Sequence, residues 1–191
     1  MLLTLVTLLA APLPTPFPAL AVDTGQTVSG VTMPETIEVD GQTLSLNGMA
    51  LRKKFIVKVY VAGLYVATKS SSEEEIFRAD APRRMVMHFV RGVDKKKICD
   101  GWNEGLEKNT PDASAALKDQ FTELCGLMAD IQNGQAFVFT YVPEKGTAVE
   151  VAGEEKGTIA GKEFADALLA CWIGPKPGPG GGFKKNLLGQ S

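Results

Sequence analysis

A long segment rich in strand-forming residues most restricts the fold of this chain. Residues 46–69 read LNGMALRKKFIVKVYVAGLYVATK, with many β-branched and aromatic side chains, which favour strands. Successive side chains of a strand point to opposite faces, and between Phe55 and Tyr65 the odd-numbered positions are almost all apolar. We therefore predict one long strand, with one face covered by helices and the other only partly covered.

The flanking patterns predict the remaining elements. Residues 36–46, TIEVDGQTLSL, alternate in polarity around Asp40-Gly41, a dipeptide that suits the tight turn of a hairpin. Helices are expected at residues 72–78, after Asp94, from Pro111-Asp112 onward and up to Gly174; further strands are expected at residues 83–90, at 135–142 and in the segments TAVEV and KGTIA. This order predicts the α+β class, with a mostly antiparallel sheet covered on one face by helices.

Both ends of the chain differ in composition from its centre. Residues 1–21 carry no charged side chain, have an apolar run at 2–11 and end in Ala19-Leu20-Ala21, the pattern of a secretory signal cleaved after Ala21. No Lys or Arg precedes the run, so a retained anchor or a misread start is the alternative; the run is too short to span a membrane. We expect a domain at 22–174, a Pro/Gly-rich tail at 175–191, and a periplasmic or secreted protein without a stable membrane span.

The chain has three cysteines, Cys99, Cys125 and Cys171, which permit at most one internal disulfide. Cys99 and Cys125 fall on two predicted helices that we expect to be neighbours, so they are the pair to test. All three also lie among apolar residues, where free thiols behave as small hydrophobic side chains. A bridged pair and three free core thiols both remain open.

Charge and motifs exclude several classes of function. The net charge of −2 provides no basic footprint for nucleic acid. The sequence contains no nucleophile elbow, phosphate loop or dinucleotide fingerprint, and no cysteine spacing of a zinc site. The single histidine, His88, lies in the middle of a predicted strand. We expect neither a metal nor a cofactor.

The remaining candidate residues are Arg52, Tyr60, Tyr65 and Asn103. An arginine that faces inward from a strand can hold a carboxylate by two parallel hydrogen bonds, and a nearby tyrosine hydroxyl can add another donor. Alternatively, Arg52 covers the edge of the sheet and forms a surface ion pair.

Several segments together resemble the chalcone isomerase superfamily, and in particular its bacterial chalcone isomerase-like, periplasmic branch. The resemblance rests on the Asn-Gly, Arg and Gly-Leu-Tyr positions of residues 46–66, on DKKKICDGWNEGLEKN, and on KGTIAGKEFADALLACWIGPKP followed by FKKNLLG. It covers roughly residues 30–189. The resemblance implies an open-faced β-sandwich, a large antiparallel sheet with helices on one face and a ligand cleft between them.

The resemblance also implies roles for individual residues. Arg52 matches the strand arginine that orients the substrate in the plant enzymes, Tyr60 falls at a strand threonine, and Asn103 matches a helix asparagine. A helix tyrosine of those enzymes falls on Lys96, which departs from the pattern, because a lysine is a flexible point charge rather than a rigid phenol.

Three functions follow from this comparison. The first is an exported protein that binds a small apolar carboxylate, such as a fatty acid, in the cleft without catalysis, with ligand contacts from Arg52, Tyr60, Lys96 and Asn103. The second is an intramolecular lyase acting on a flavonoid-like enone through Arg52, Tyr60 and Asn103. The third is a partner-binding module that docks through FKKNLLG.

Overall fold

The computed structural model describes residues 25–190, which form two antiparallel sheets and five helices. A small sheet pairs two short strands, and a large sheet contains seven strands in the order of the chain. The strands are β1 Gln26–Val28, β2 Val31–Met33, β3 Thr36–Val39, β4 Gln42–Lys54, β5 Val57–Val66, β6 Arg83–Phe89, β7 Ala136–Val142, β8 Gly146–Val151 and β9 Glu154–Ile159. The helices are α1 Glu73–Arg78, α2 Lys95–Asn109, α3 Ala115–Leu127, α4 Lys162–Ile173 and α5 Gly181–Leu187. The predicted α+β class is confirmed.

The predicted long strand is wrong in one respect: it is two strands, β4 and β5, joined by a turn at Phe55-Ile56. Lys54 pairs with Val57, so these two residues alone reverse the chain. The turn could not be predicted from the sequence, because neither residue is a usual turn former and both favour strands. The hairpin at Asp40-Gly41 was predicted correctly, and both residues have positive φ, 52° and 75°.

The large sheet packs on both faces. Tyr60, Ala62 and Leu64 of β5 belong to the main core with helices α2 to α5, whereas Val61 and Tyr65 belong to a smaller core with β1 and β2. The helices therefore cover the even-numbered positions of β5, the face of mixed polarity.

Helix α2 presents the predicted stripe of Ile98, Trp102 and Leu106 to the main core. Helix α3 begins later than predicted, because Ser114 rather than Pro111 is its N-cap: the Ser114 hydroxyl accepts the Leu117 N–H at 3.1 Å. Helix α4 ends at Gly174 as predicted.

The C-terminal segment packs against the body through α5. Phe183, Leu187 and Leu188 are buried in the main core. Asn47, at a bulge in β4, donates from Nδ2 to the Leu187 carbonyl at 2.8 Å and accepts the backbone N–H of Ser70 at 2.9 Å. Residues 175–180 form the connection, so the expected Pro/Gly tail includes a docked helix.

The three thiols are free, and two of them are neighbours. Cys99 Sγ lies 4.0 Å from the Cys125 carbonyl oxygen across α2 and α3, and both residues are half-buried. Burial raises the pKa of the Cys171 thiol to about 12. Cys171 therefore packs as a small apolar residue.

The predicted signal at residues 1–21 lies outside the described residues. Within residues 25–190, no helix combines the length and apolar character needed to cross a bilayer.

Gly48 allows α5 to approach β4, and its substitution tests this contact. A Cβ at Gly48 would lie 2.1 Å from the Asn186 carbonyl oxygen and 2.8 Å from that of Leu187. Both are backbone atoms, so we predict that Gly48→Ala lowers the free energy of unfolding by about 1–3 kcal/mol. The matched control is Gly126→Ala in α3, where a Cβ meets nothing within 4 Å; it should raise stability by about 0.5–1 kcal/mol. Urea denaturation measures both, and equal effects would contradict the proposed contact.

Candidate functional site

A cavity of about 650 Å³ lies between the large sheet and the helices α2 and α4. Its volume falls in the range of about 300–1,000 Å³ typical of sites for small molecules. A second cavity near Arg83 has about 20 Å³, room for little more than one water. The large cavity is therefore the candidate site.

Most of the wall is apolar, with side chains from the sheet and from both helices. The apolar lining residues are Phe55, Val57, Val59, Met87, Phe89, Val93, Ile98, Trp102, Cys171 and Trp172. Such a wall favours a hydrocarbon ligand, because burial of apolar surface provides most of the binding free energy.

Arg52 and Tyr60 lie side by side in this wall. They are direct partners in the antiparallel pairing of β4 and β5, so their side chains share one face of the sheet. A β-bulge follows between Arg52 and Lys53. The structure thus brings together the two strand residues predicted from the sequence.

Arg52 retains most of its hydrogen-bonding capacity. Its Nη1 donates to the Pro179 carbonyl oxygen at 3.2 Å, and the side chain is half-buried. No carboxylate among residues 25–190 forms an ion pair with Arg52, so the surface ion pair considered above as an alternative is not formed there. A guanidinium has five N–H donors, so it can still bind an anion.

Tyr60 is a buried donor. Its hydroxyl oxygen accepts the Trp172 Nε1–H at 3.1 Å, and within the described part of the chain no group accepts the hydroxyl hydrogen. Burial raises the pKa of Tyr60 far above its usual value, against the weaker opposing effects of the Trp172 hydrogen bond and of Arg52. Tyr60 is therefore neutral and can donate to a ligand.

Cationic side chains predominate where the cavity reaches the surface. Arg52, Lys54, Arg91 and Lys97 contribute to the lining, together with the acidic Asp100 and Glu104. Both acidic groups are bound elsewhere: Asp100 accepts from Lys96 at 2.7 Å and Glu104 from Lys108 at 2.5 Å. Lys97 is likewise paired, with Asp94 at 2.6 Å, so Arg52, Lys54 and Arg91 are the lining cations without an acidic partner among residues 25–190. The entrance consequently favours an anionic group.

The structure does not bring the other predicted residues into this cavity. Lys96 and Asn103 are exposed on α2, outside the lining, and Tyr65 donates to the Pro34 carbonyl at 3.0 Å on the opposite face of the sheet. Of the lysines on α2, the one that lines the entrance is Lys97, one position after Lys96. Helical geometry explains the difference, because one residue corresponds to about 100° around the helix axis.

Sequence reasoning missed Trp172, Lys97 and Pro179. Trp172 lies in the apolar stretch ALLACWIG and reads as core, although a buried indole N–H usually has an acceptor. That requirement was the one available signal. Pro179 contributes a backbone carbonyl, which side-chain motifs do not reveal.

The buried state of Tyr60 predicts a specific pH dependence. Phe at position 60 leaves the Trp172 N–H without an acceptor, so at neutral pH Tyr60→Phe should be less stable by about 1–3 kcal/mol. The pKa of Tyr60 is higher in the folded state than its value of about 10 in the unfolded state. The contribution of Tyr60 to the free energy of unfolding is therefore complete below about pH 10, and it is lost above that pH because the phenol ionises first in the unfolded state.

The difference in the free energy of unfolding between the wild type and Tyr60→Phe should therefore become smaller above about pH 10, by up to about 1.4 kcal/mol per pH unit. Urea denaturation at a series of pH values measures it. A gap that stays constant up to pH 12 would show that Tyr60 ionises equally in both states.

Comparison with known proteins agrees with this architecture. Residues 25–189 match the family described as Chalcone isomerase-like. No curated protein matches the sequence. A crystal structure of a fatty-acid binding protein from Arabidopsis thaliana is similar, with a TM-score of 0.67 and 18% identity, over 86% of this chain and 95% of that one. The fold is thus the open-faced β-sandwich predicted above, and the chain belongs to the chalcone isomerase-like family.

Proposed function

We propose that this protein binds a small apolar carboxylate, such as a fatty acid, in the cavity between sheet and helices, without catalysis. The observation that carries the proposal is that Arg52 and Tyr60, two donors with unused hydrogen-bonding capacity, lie together in an apolar wall. A hydrocarbon chain with a carboxylate head has the matching distribution of polarity.

The head group would be held by charge-assisted hydrogen bonds. A guanidinium can donate two parallel N–H bonds to a carboxylate, and such bonds are stronger than those between neutral groups. The Tyr60 hydroxyl, held by Trp172 at 3.1 Å, can donate a third. Trp172 thereby acts as a positioning residue for Tyr60.

The hydrocarbon chain would occupy the space beside Met87, Ile98 and Trp102. Each methylene group transferred there from water contributes about 0.8 kcal/mol. The solved structure from Arabidopsis thaliana supports this class of ligand, because that protein is described as a fatty-acid binding protein and shares the fold.

The two alternative functions have less support. Intramolecular lyase chemistry was expected to use Asn103, which lies on the exposed side of α2 outside the cavity. A partner-binding module was expected to fill its cleft with its own side chains and to dock through FKKNLLG. That segment packs on β4 of the same chain, and the cavity is open.

Export is part of the proposal, based on the signal pattern of residues 1–21. We predict that the protein from a periplasmic or secreted fraction begins at Val22. Intact mass spectrometry of each cell fraction tests this. Full-length protein confined to the cytosol would contradict it.

The role of Arg52 can be tested with two ligands that differ only in the head group. Loss of hydrogen bonds to a charged group costs about 1.5–3 kcal/mol. We predict that Arg52→Ala weakens dodecanoate binding roughly 10- to 100-fold, while dodecanol binding changes only slightly. Isothermal titration calorimetry measures both affinities.

Lys118→Ala is the matched control, since it removes an exposed cation on α3 that lies outside the cavity lining and forms no ion pair among residues 25–190. It should leave both affinities unchanged. Equal losses for acid and alcohol in Arg52→Ala would indicate a structural role for Arg52, and no dodecanoate binding by the wild type would refute the proposed function.

A further inference from the structure

The tip of the β4–β5 hairpin, residues 53–58, is apolar and fully accessible. Phe55 and Ile56 are 92% and 93% exposed, and Val57 is 39% exposed. Among residues 25–190 these three consecutive residues are the exposed large apolar side chains, whereas others such as Leu51 and Phe77 are half-buried. Contiguous exposed apolar surface is unusual in a monomer and marks an interaction site.

The backbone at the tip is unfavourable for its own sequence. Phe55 has a φ of 55°, in the left-handed region, where a bulky residue is an outlier and Gly or Asn is preferred. Because the side chain is exposed, packing within the fold does not compensate for this strain. Local stability alone would therefore favour a different residue here.

The charges at the tip are equally unfavourable for an isolated protein. Lys53 and Lys58 are direct partners across the hairpin, and like charges in this arrangement repel. Lys54 lies between them, and all three are exposed. In the described structure none of the three forms an ion pair.

An anionic surface with an apolar interior would compensate for both the exposed apolar side chains and the repulsion between the lysines. It would bury Phe55 and Ile56 and neutralise the opposed lysines. A bilayer containing anionic lipid has these properties, because aromatic and aliphatic side chains enter the headgroup boundary while Lys and Arg bind the lipid phosphates. The net charge of the chain is −2, so the attraction is local to the tip.

We propose that the tip of the β4–β5 hairpin, residues 53–58, docks the protein on an anionic lipid bilayer. Lys54, Phe55 and Val57 of this tip also line the cavity, and Arg91 and Lys97 lie at the same entrance. Docking would place the entrance at the bilayer surface. The consequence that ligand passes between bilayer and cavity rests on the proposed function; the docking itself does not.

Vesicle binding tests the proposal. Flotation of the protein with vesicles of phosphatidylcholine alone, or with one third phosphatidylglycerol, measures the partition coefficient. The wild type should bind the anionic vesicles, and binding should weaken as salt is added. Each variant is compared in the full-length chain and in the chain beginning at Val22, so that residues 1–21 cannot account for a difference.

Two variants separate the apolar and the electrostatic contributions. Phe55→Asn with Ile56→Ser should lower the partition coefficient at least about tenfold. Lys53→Gln with Lys58→Gln should lower it about tenfold and reduce its salt dependence. Both should be at least as resistant to urea as the wild type, because each relieves an unfavourable local interaction.

The matched control is Ala152→Asn, in the two-residue turn between β8 and β9. Ala152 also has positive φ, 54°, and is exposed. This substitution relieves the same backbone strain without removing a large apolar side chain. It should leave vesicle binding unchanged.

The outcomes distinguish docking from ligand binding. Docking would be refuted if the wild type did not bind anionic vesicles, or if all variants bound them equally. Either result is also the one expected if the hairpin tip binds a protein instead of a bilayer. Dodecanoate affinity of the Lys53→Gln, Lys58→Gln variant should equal that of the wild type. If the wild type binds vesicles but no dodecanoate, docking stands and the proposed function fails.

Discussion

The two-residue turn at Phe55-Ile56 determines the register on which the candidate site depends. It pairs Arg52 with Tyr60 across β4 and β5, with a bulge between this pair and the turn. Side chains alternate between the faces of a strand, so a slip of one residue would turn Arg52 toward the opposite face. The hairpin thus places a cation and a phenol together at the edge of an apolar cavity, and its own tip at the entrance.

Helix α4 completes the site from the opposite side. Trp172 holds the Tyr60 hydroxyl, and Phe183 of α5 packs against the Tyr60 ring at 6.0 Å between centroids. Asn47 and Gly48 in turn fix α5 on β4. The polar contacts are few, but each joins elements that are distant in sequence. The stability of the C-terminal helices and the geometry of the candidate site are consequently linked.

The sequence predicted the parts of the structure that depend on local patterns. Alternation and turn chemistry identified the Asp40-Gly41 hairpin, and helical periodicity identified the buried stripe of Ile98, Trp102 and Leu106. The turn at Phe55-Ile56 was missed because its residues favour strands. Arg52 and Tyr60 lie together in the cavity wall, whereas Lys96 and Asn103 lie outside its lining, since a shift of one residue on a helix changes the direction of the side chain by about 100°.

A structure with bound dodecanoate would test the central claim most directly. The account predicts the carboxylate within about 2.7–3.2 Å of the Arg52 guanidinium and the Tyr60 hydroxyl. The acyl chain should lie along Met87, Ile98 and Trp102. A carboxylate on Arg91 or Lys97 at the surface, with the chain outside the cavity, would contradict it.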